Sequence, residues 1–487
     1  MEAKQEGSKG KIWLHVAVQV VLGYSPTLQY SALNPVSEFV QRFLNHSYVR
    51  GYGGDVSEAQ LTLLWSLTAT QYLIGAATGS MLFGWTADRI GRKGTLLVLK
   101  NVLCIGGCLL QYSAVAFDRF EPLILGRFLI GCSAGLSNMN SVYIAECAPQ
   151  ERAGHLSSIP VLMPAVLTAG GVVLNLPFLL GTERLWTFSF FVPVLPCLLH
   201  LLTSFHLHES PKHLYITLGD EERARAAFHF YQGSGADWEK QRAQYDAEKA
   251  LSATTASLWT TLRTRHLRWP FLICAVAGFN GSLGGVDIAN LYSTELFQRL
   301  GIGREDATYY TLLGIQLPSV LIQLALLGFR VMDRAGRKPF YMLGIVVGLL
   351  ATSLIFLSGQ LGSGLPGVIA GVLSLALAQW SLYLGPLYVL SVLPAEIAPQ
   401  QSRSLSGAVS FALNWFSSVL VSFSYPPVSA LVGSFAVLPV TLTSASITLF
   451  LICYMPESKG KSVEEIVERW KKKEKVEARN GVVEERF

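Results

Sequence analysis

The sequence predicts an all-α integral membrane protein, with twelve transmembrane helices arranged as two pseudo-symmetric halves of six. Three observations predict this class. Apolar residues make up 51% of the chain and charged residues 15%, against about 25% charged in an ordinary soluble domain. The 487 residues exceed what one packed soluble core can organise. Three short strings also occur twice at nearly one offset. Asp88-Arg89-Ile90-Gly91-Arg92-Lys93 returns 245 residues later as Asp333-Arg334-Ala335-Gly336-Arg337-Lys338. Ala145-Glu146-Cys147-Ala148-Pro149-Gln150 returns 250 residues later as Ala395-Glu396-Ile397-Ala398-Pro399-Gln400. Glu209-Ser210-Pro211-Lys212 returns more loosely, 248 residues later, as Glu457-Ser458-Lys459-Gly460. A near-constant offset means two copies of one unit, and two membrane halves with a midplane site between them form a transporter architecture.

A spanning helix needs roughly 20 mostly apolar residues. Twelve stretches qualify, near 12–33, 61–84, 95–117, 122–146, 155–180, 186–207, 269–298, 308–331, 339–360, 366–394, 404–428 and 433–455. The first follows a short lysine-bearing tail with no small-residue cleavage pattern, so it reads as a retained helix. The chain divides into an N-terminal half over 1–207, a charged helical linker over 208–268, a C-terminal half over 269–455 and a charged tail over 456–487. Within the tail, 462–472 is amphipathic, and the residues beyond it have the composition of a disordered segment.

Lysine and arginine set the orientation. Arg89, Arg92 and Lys93 follow the second span, and Arg330, Arg334, Arg337 and Lys338 follow the eighth. The linker and both ends are basic as well, so both termini and 208–268 are expected to be cytoplasmic; the expected membrane is the plasma membrane. The net charge of +5 expresses that orientation and gives no footprint for nucleic acid. The loop 34–60 then faces outward, and Asn45-His46-Ser47 in it is a glycosylation acceptor. The seven cysteines form no CxxC pair and the nine histidines show no ligand spacing, so neither a metal site nor a cofactor is expected. Gly131-Cys132-Ser133-Ala134-Gly135 matches a hydrolase nucleophile elbow, but that elbow needs a strand before it. Inside a span its small residues serve close helix packing, and the chain does not read as an enzyme.

The Asp-Arg-x-Gly-Arg-Lys loops are tight turns in which glycine supplies a backbone geometry that other residues resist. Their arginines offer forked donors that suit carboxylates. Glu146 and Glu396 end the fourth and tenth spans on the same side, and Arg152 and Arg403 follow them. The sequence thus suggests two charge clusters. Asp88, Arg89, Arg92, Glu146 and Arg152 form the first; Asp333, Arg334, Arg337, Glu396 and Arg403 form the second. They are expected to close when the protein faces outward and to break when it faces inward. Simple anchoring of helix ends would not demand two copies at matched repeat positions.

These strings carry a resemblance to the sugar porter family of the major facilitator superfamily, and most closely to its animal facilitative glucose and fructose transporters. The carrying residues are Gly84 to Lys93, Gly126-Arg127-Phe128, Tyr143-Ile144-Ala145-Glu146, Asp333 to Lys338, Gly385-Pro386, Asn414-Trp415 and Pro456 to Lys461. The likeness runs from about residue 12 to 466. It implies the twelve-helix major facilitator fold and alternating access to a central cavity.

The positions implied to face substrate depart from the family. Where hexose-transporting members read Gln-Gln-Leu-Ser-Gly-Ile-Asn in the seventh span, this chain reads Gly281-Ser282-Leu283-Gly284-Gly285-Val286-Asp287. The glutamine of the fifth span falls at Pro160, and the asparagine of the eighth at about Leu321. The tenth-span tryptophan falls at Ser391 and the glutamate before Gly-Pro at Tyr383. Asn414 in the eleventh span is retained. Substrate-binding candidates by this correspondence are Ser282, Asp287, Tyr383, Ser391 and Asn414. An unmatched buried polar group costs about 1–3 kcal/mol, so ordinary hexose affinity is expected to be lost. Proton-coupled relatives place an aspartate in the first span near the arginine matching Arg127; here that position is about Ser25. Arg127 is left to bind backbone carbonyls or to reach the inner cavity, and it joins the gating candidates.

The resemblance implies facilitated diffusion of a sugar or sugar-like solute such as a hexose or polyol. Two other readings are a non-transporting sensor on the same scaffold and an ion-coupled carrier using Asp287. The lipid bilayer is the implied surrounding, and no obligate protein partner is evident in the sequence.

Overall fold

The computed structural model describes residues 2–252, 257–329, 336–461, 463, 465–468 and 470. The described chain is helical throughout and contains no strand. Six helical stretches among the described residues are long and apolar enough to cross a membrane: Glu58–Ala116, Trp186–Phe205, Arg304–Leu326, Arg337–Leu361, Leu365–Tyr383 and Arg403–Tyr454. Two of these are double passes. Glu58–Ala116 reverses at Gly91 (φ 81°, ψ 170°), and Arg403–Tyr454 turns at Gly433 (φ 59°).

The first, fourth, fifth and seventh passes are interrupted near their middles, which is why length and apolarity alone do not pick them out; the tenth is also broken, although its first helix is long enough to count. The first is helical over Glu2–Leu22, breaks, and continues as a 3₁₀ turn over Ser25–Gln29. The fourth is split between Glu121–Leu136 and Met139–Cys147. The fifth is split between Gln150–Ser158 and Met163–Leu174, and the seventh between Arg265–Asn280 and Val286–Arg299. The tenth breaks at Leu384 and Gly385 before Pro386–Ile397. Proline at 386 has no N–H to give, and a Cβ on Gly385 would sit 2.4 Å from the carbonyl oxygen of Phe340. Non-helical backbone is tolerated at membrane depth only where it is buried in protein or lines a cavity, so the breaks mark the interior surfaces.

Close packing explains the glycine content of the spans. A Cβ at Gly75 would lie 2.1 Å from the carbonyl oxygen of Phe128, and one at Gly131 would lie 2.1 Å from that of Tyr72. Small residues let membrane helices approach in this way. The loop 34–60 carries a helix, Ser37–Tyr52, whose Phe39, Val40, Leu44 and Ser47 are buried. Between the sixth and seventh spans lie the helices Glu221–Gln232, Trp238–Ser252 and Leu258–Arg263. The first two pack around Phe228, Trp238 and Tyr245. Tyr231 reaches up to Tyr143 and His15 of the N-terminal half. In the tail, Ile466 and Val467 are buried, while 471–487 lie outside the described residues.

Candidate functional site

The three repeated strings meet in space, once in each half. In the N-terminal half the guanidinium of Arg92 donates to both oxygens of Glu146, from Nε at 2.9 Å and Nη2 at 3.2 Å. Ser210 Oγ donates to Glu146 at 2.5 Å. The neighbouring Glu209 accepts the backbone N–H groups of Arg92 (2.9 Å) and Lys93 (3.1 Å). In the C-terminal half Arg337 Nε donates to Glu396 at 2.9 Å, Ser458 Oγ donates to the same carboxylate, and Glu457 accepts the N–H groups of Arg337 (3.0 Å) and Lys338 (3.1 Å).

The glycine of each loop makes this closure possible. Gly91 and Gly336 hold φ 81° and 93°, with ψ 170° and 163°, a region that is essentially glycine's own. A Cβ would meet the glutamate directly, at 2.1 Å from Glu209 and 2.9 Å from Glu457. Sequence reasoning named Arg92, Arg337, Glu146 and Glu396 but gave no role to Glu209, Ser210, Glu457 or Ser458. The signal was present, because these residues are the third repeated string.

The two capping glutamates titrate in opposite directions. Burial raises Glu209 above the ordinary range, against the pull of the N–H groups of Ser210, Lys93 and Arg92. Burial also pushes Glu457 upward, but less, and the N–H groups of Lys459, Arg337, Lys338 and Ser458 outweigh it and hold the carboxyl below its usual range. A depressed folded-state pKa gives stability that is present above the ordinary range and is lost as pH falls through the depressed value. For a raised pKa the contribution is present at low pH and is lost as pH rises. Thermal unfolding followed into acid should therefore fall more steeply for the native chain than for Glu457→Gln, below the ordinary glutamate range. Parallel curves would count against this assignment.

The other expected cluster members are placed differently. Arg89 is exposed and lies over the Trp85 ring at 5.1 Å. Asp88 is exposed and only brushes Arg92 at 3.5 Å. The Arg152 side chain is exposed and makes no ion pair among the described residues. Nε of Arg403 is buried without a hydrogen-bond partner there. Asp333 and Arg334 lie outside the described residues. Both glutamate–arginine pairs lie within one half, so they brace a half and do not join the two.

Contacts that do join the halves lie toward the opposite face. Tyr30, after the break in the first span, donates its hydroxyl to Asp287 Oδ1 of the seventh span at 2.5 Å. Asn34 donates to Ser293 Oγ at 2.6 Å and accepts the N–H of Thr294 at 3.0 Å. Trp65 meets Tyr292 edge-on, with centroids 6.4 Å apart, and Arg304 donates to the carbonyl of Gly181. Sequence reasoning missed Tyr30 and Asn34, since nothing local marks a polar residue as reaching across 257 or 259 positions.

Asp287 is 2% exposed and its Oδ2 has no partner among the described residues. It sits in the first turn after Gly285, whose φ of 85° ends the break. The other substrate candidates are largely occupied. Ser418 Oγ donates to Ser282 Oγ (2.7 Å), and Asn414 Nδ2 donates to Ser282 Oγ (3.0 Å) and to the carbonyl of Gly278. Tyr383 is buried, with Gln379 Nε2 3.5 Å from its hydroxyl. The side chain of Ser391 lies outside the described residues. Leu321, the expected counterpart of the eighth-span asparagine, is 66% exposed on the outer surface, so the gap-free correspondence slips there. Several polar residues of that span turn inward, among them Ser319, Gln323 and Gln316; Gln316 bonds Asn290, which in turn bonds Gln379. Arg127 is fully buried and donates to the carbonyls of Thr68, Ala69 and Gln29, with its guanidinium 5.7 Å from the Tyr72 ring centre. Asn45 is exposed on its helix, while the Ser47 hydroxyl donates to the carbonyl of Asp118.

A family model described as "Sugar (and other) transporter" matches residues 17–470. The chain is 30% identical over 475 residues to the sheep (Ovis aries) solute carrier family 2, facilitated glucose transporter member 5, covering 95% of this chain and 93% of that protein. It is 27% identical over 457 residues to the human (Homo sapiens) facilitated glucose transporter member 9, covering 91% and 82%. The E. coli xylose transporter XylE shares the fold. Its partially occluded inward-open form superposes with a TM-score of 0.71 at 18% identity, covering 92% of this chain and 100% of that one. Its inward-open form gives 0.70 at 20% identity, covering 94% and 99%.

Proposed function

Because the chain belongs to the sugar (and other) transporter family, a family of multi-pass membrane proteins, we propose that it carries a small polar solute, a sugar or sugar-like molecule, by alternating access through a cavity between its halves. The observation that carries this reading is the Tyr30–Asp287 hydrogen bond. It joins the halves through a carboxylate whose second oxygen is unspent, so one residue can serve both the outer gate and the solute. The Asn34 contacts with Ser293 and Thr294 support a gate on the same side. We place both termini, the linker 208–268 and the paired charge clusters on the cytoplasmic side, in the plasma membrane, with the N-terminal half over 1–207 and the C-terminal half over 269–455. In this reading Asn45 faces outward and is open to glycosylation.

The hexose pocket of the family is altered. The Ser282 and Ser418 hydroxyls and the Asn414 amide nitrogen bond one another, and Asp287, which Ser418 also adjoins, is the acidic acceptor for a donor on the solute. Purified protein in proteoliposomes should therefore show weak, poorly saturable D-glucose uptake and stronger uptake of some other polyhydroxy solute. Robust saturable glucose uptake would overturn this, and no flux of any solute in a broad panel would favour the sensor reading. Ser282→Gln is the variant to raise glucose affinity. Gly281→Gln is the poorer choice, since a Cβ at 281 would lie 2.6 Å from Asn414 Nδ2 and 3.0 Å from Leu390. The unspent Asp287 oxygen also favours a second reading, coupling to a proton or other cation. Flux with and without an imposed pH gradient separates it from facilitated diffusion.

A further inference from the structure

Besides Asp287 and Arg127, a further buried charge lies in the N-terminal half, away from the solute side. Lys100 is fully buried and pairs with no carboxylate among the described residues. It stands at the junction where a π-helical turn, Gly94–Leu99, passes into the α-helix Lys100–Ala116. Such wide turns occur frequently at functional sites. Its Nζ has three acceptors: the carbonyl of Gly23 at 3.0 Å, the carbonyl of Leu22 at 3.4 Å and His200 Nδ1 at 3.0 Å. Three acceptors match the three N–H groups of an ammonium. Asn101 Nδ2, 3.3 Å from His200 Nδ1, is also a donor to that atom. The ring proton of His200 therefore sits on Nε2, which donates to Gln19 Oε1 at 3.2 Å.

Leu22 and Gly23 are the residues at which the first span breaks. The carbonyls at a helix C-terminus lack intrahelical donors and carry the negative end of the dipole, so a cation is favoured there. Beyond the break, Ser25 Oγ donates to the Leu22 carbonyl and lies 3.1 Å from Cys197 Sγ. Gln29 Nε2 donates to the carbonyl of Ser189, and its own carbonyl accepts from Arg127. The next residue is Tyr30, which reaches Asp287.

We propose that Lys100 is a positioning residue of the outer gate: its ammonium, oriented by His200, clamps the break in the first span and so presents Tyr30 to Asp287. This rests on the reading of the Tyr30–Asp287 contact as the gate. Nothing in the transport reading uses Lys100 otherwise, and the residue touches neither the solute candidates nor the paired charge clusters.

Hydrogen exchange by mass spectrometry on the full chain in lipid nanodiscs tests it. Two regions report separately: amides of 23–30 report the clamp, and the amide of Thr294, which donates to Asn34, reports the gate. Lys100→Met should speed exchange in both by roughly tenfold or more, the effect expected from losing one charge-assisted hydrogen bond. The helix Arg337–Leu361 should be unchanged, which excludes general loosening. Lys100→Arg, which keeps the charge and donors, should restore much of the protection. In a Tyr30→Phe background, Lys100→Met should add nothing at Thr294, because both act through the same contact. If Lys100→Met does not accumulate as folded protein, Lys100→Gln carries the same comparison. Faster exchange at Thr294 in Tyr30→Phe with no effect of Lys100→Met would overturn the inference and leave the gate reading intact. Additive effects of the two substitutions would also overturn it. No effect of Tyr30→Phe at Thr294 would remove the gate reading, and the inference with it.

Discussion

Asp287→Asn should change both what this protein carries and how pH governs it, while leaving the amount of folded protein unchanged. Asparagine has nearly the same volume and can still accept from Tyr30, so the substitution isolates the charge. A hydrogen bond to an ionised acceptor is roughly twice as strong as a neutral one. The gate contact should therefore weaken by about 1–1.5 kcal/mol, close to a tenfold loss in the closed population. The oxygen that now lacks a partner is Oδ2. Asparagine replaces one of the two acceptor oxygens with an amide donor, which should favour solutes presenting acceptors over those presenting donors or positive charge. Uptake by proteoliposomes across a solute panel and a range of pH is the measurement. The same substrate ranking and the same pH profile in the variant would reduce Asp287 to a structural acid.

Glu146→Gln should cost the N-terminal half about 3 kcal/mol, more than Glu396→Gln costs the other. Removing one partner of a buried ion pair leaves the other charge uncompensated, typically at 3–5 kcal/mol, and glutamine's remaining oxygen keeps the effect at the low end. The two halves differ in exposure. The Glu146 and Arg92 side chains are 8% and 13% exposed, whereas Glu396 and Arg337 are 23% and 17% exposed, so solvent softens the second loss. Thermal unfolding in detergent gives the comparison, and an equal or reversed ranking would contradict it. If the pairs also bias the transport cycle, both substitutions should shift cysteine labelling toward the conformer open on the side of the charge clusters. An unchanged labelling ratio would confine the pairs to bracing their own halves.

Local chemistry carried the legible part of the fold. Twelve apolar stretches and three strings repeated at one offset are properties of composition and order, and they imply two equivalent membrane halves before any packing is known. Gly91 and Gly336 were readable for the same reason: a tight reversal at a membrane surface requires a conformation that only glycine adopts easily. The carboxylate partners of Arg92 and Arg337 also followed, since few acids end spans on that side. The helix Ser37–Tyr52 was readable but overlooked. Its buried Phe39, Val40, Leu44 and Ser47 follow the spacing of one helix face.

The sequence by itself determined the class and the duplication. Each of these depends on residues close together in the chain or on a count. Only the tertiary structure decided where the breaks fall and which polar atoms remain unspent. The partnering of Tyr30 with Asp287, of Lys100 with the end of the first span and of Glu209 with the Arg92 loop depends on residues 77 to 257 positions apart. Sequence pattern gives the face on which a side chain lies, but not the helix it meets. In a bundle where lipid and protein interior are equally apolar, hydrophobic periodicity no longer separates inside from outside. That is why Leu321 could be expected in a pocket and be found on the outer surface, while Gln316, five residues earlier, turned inward.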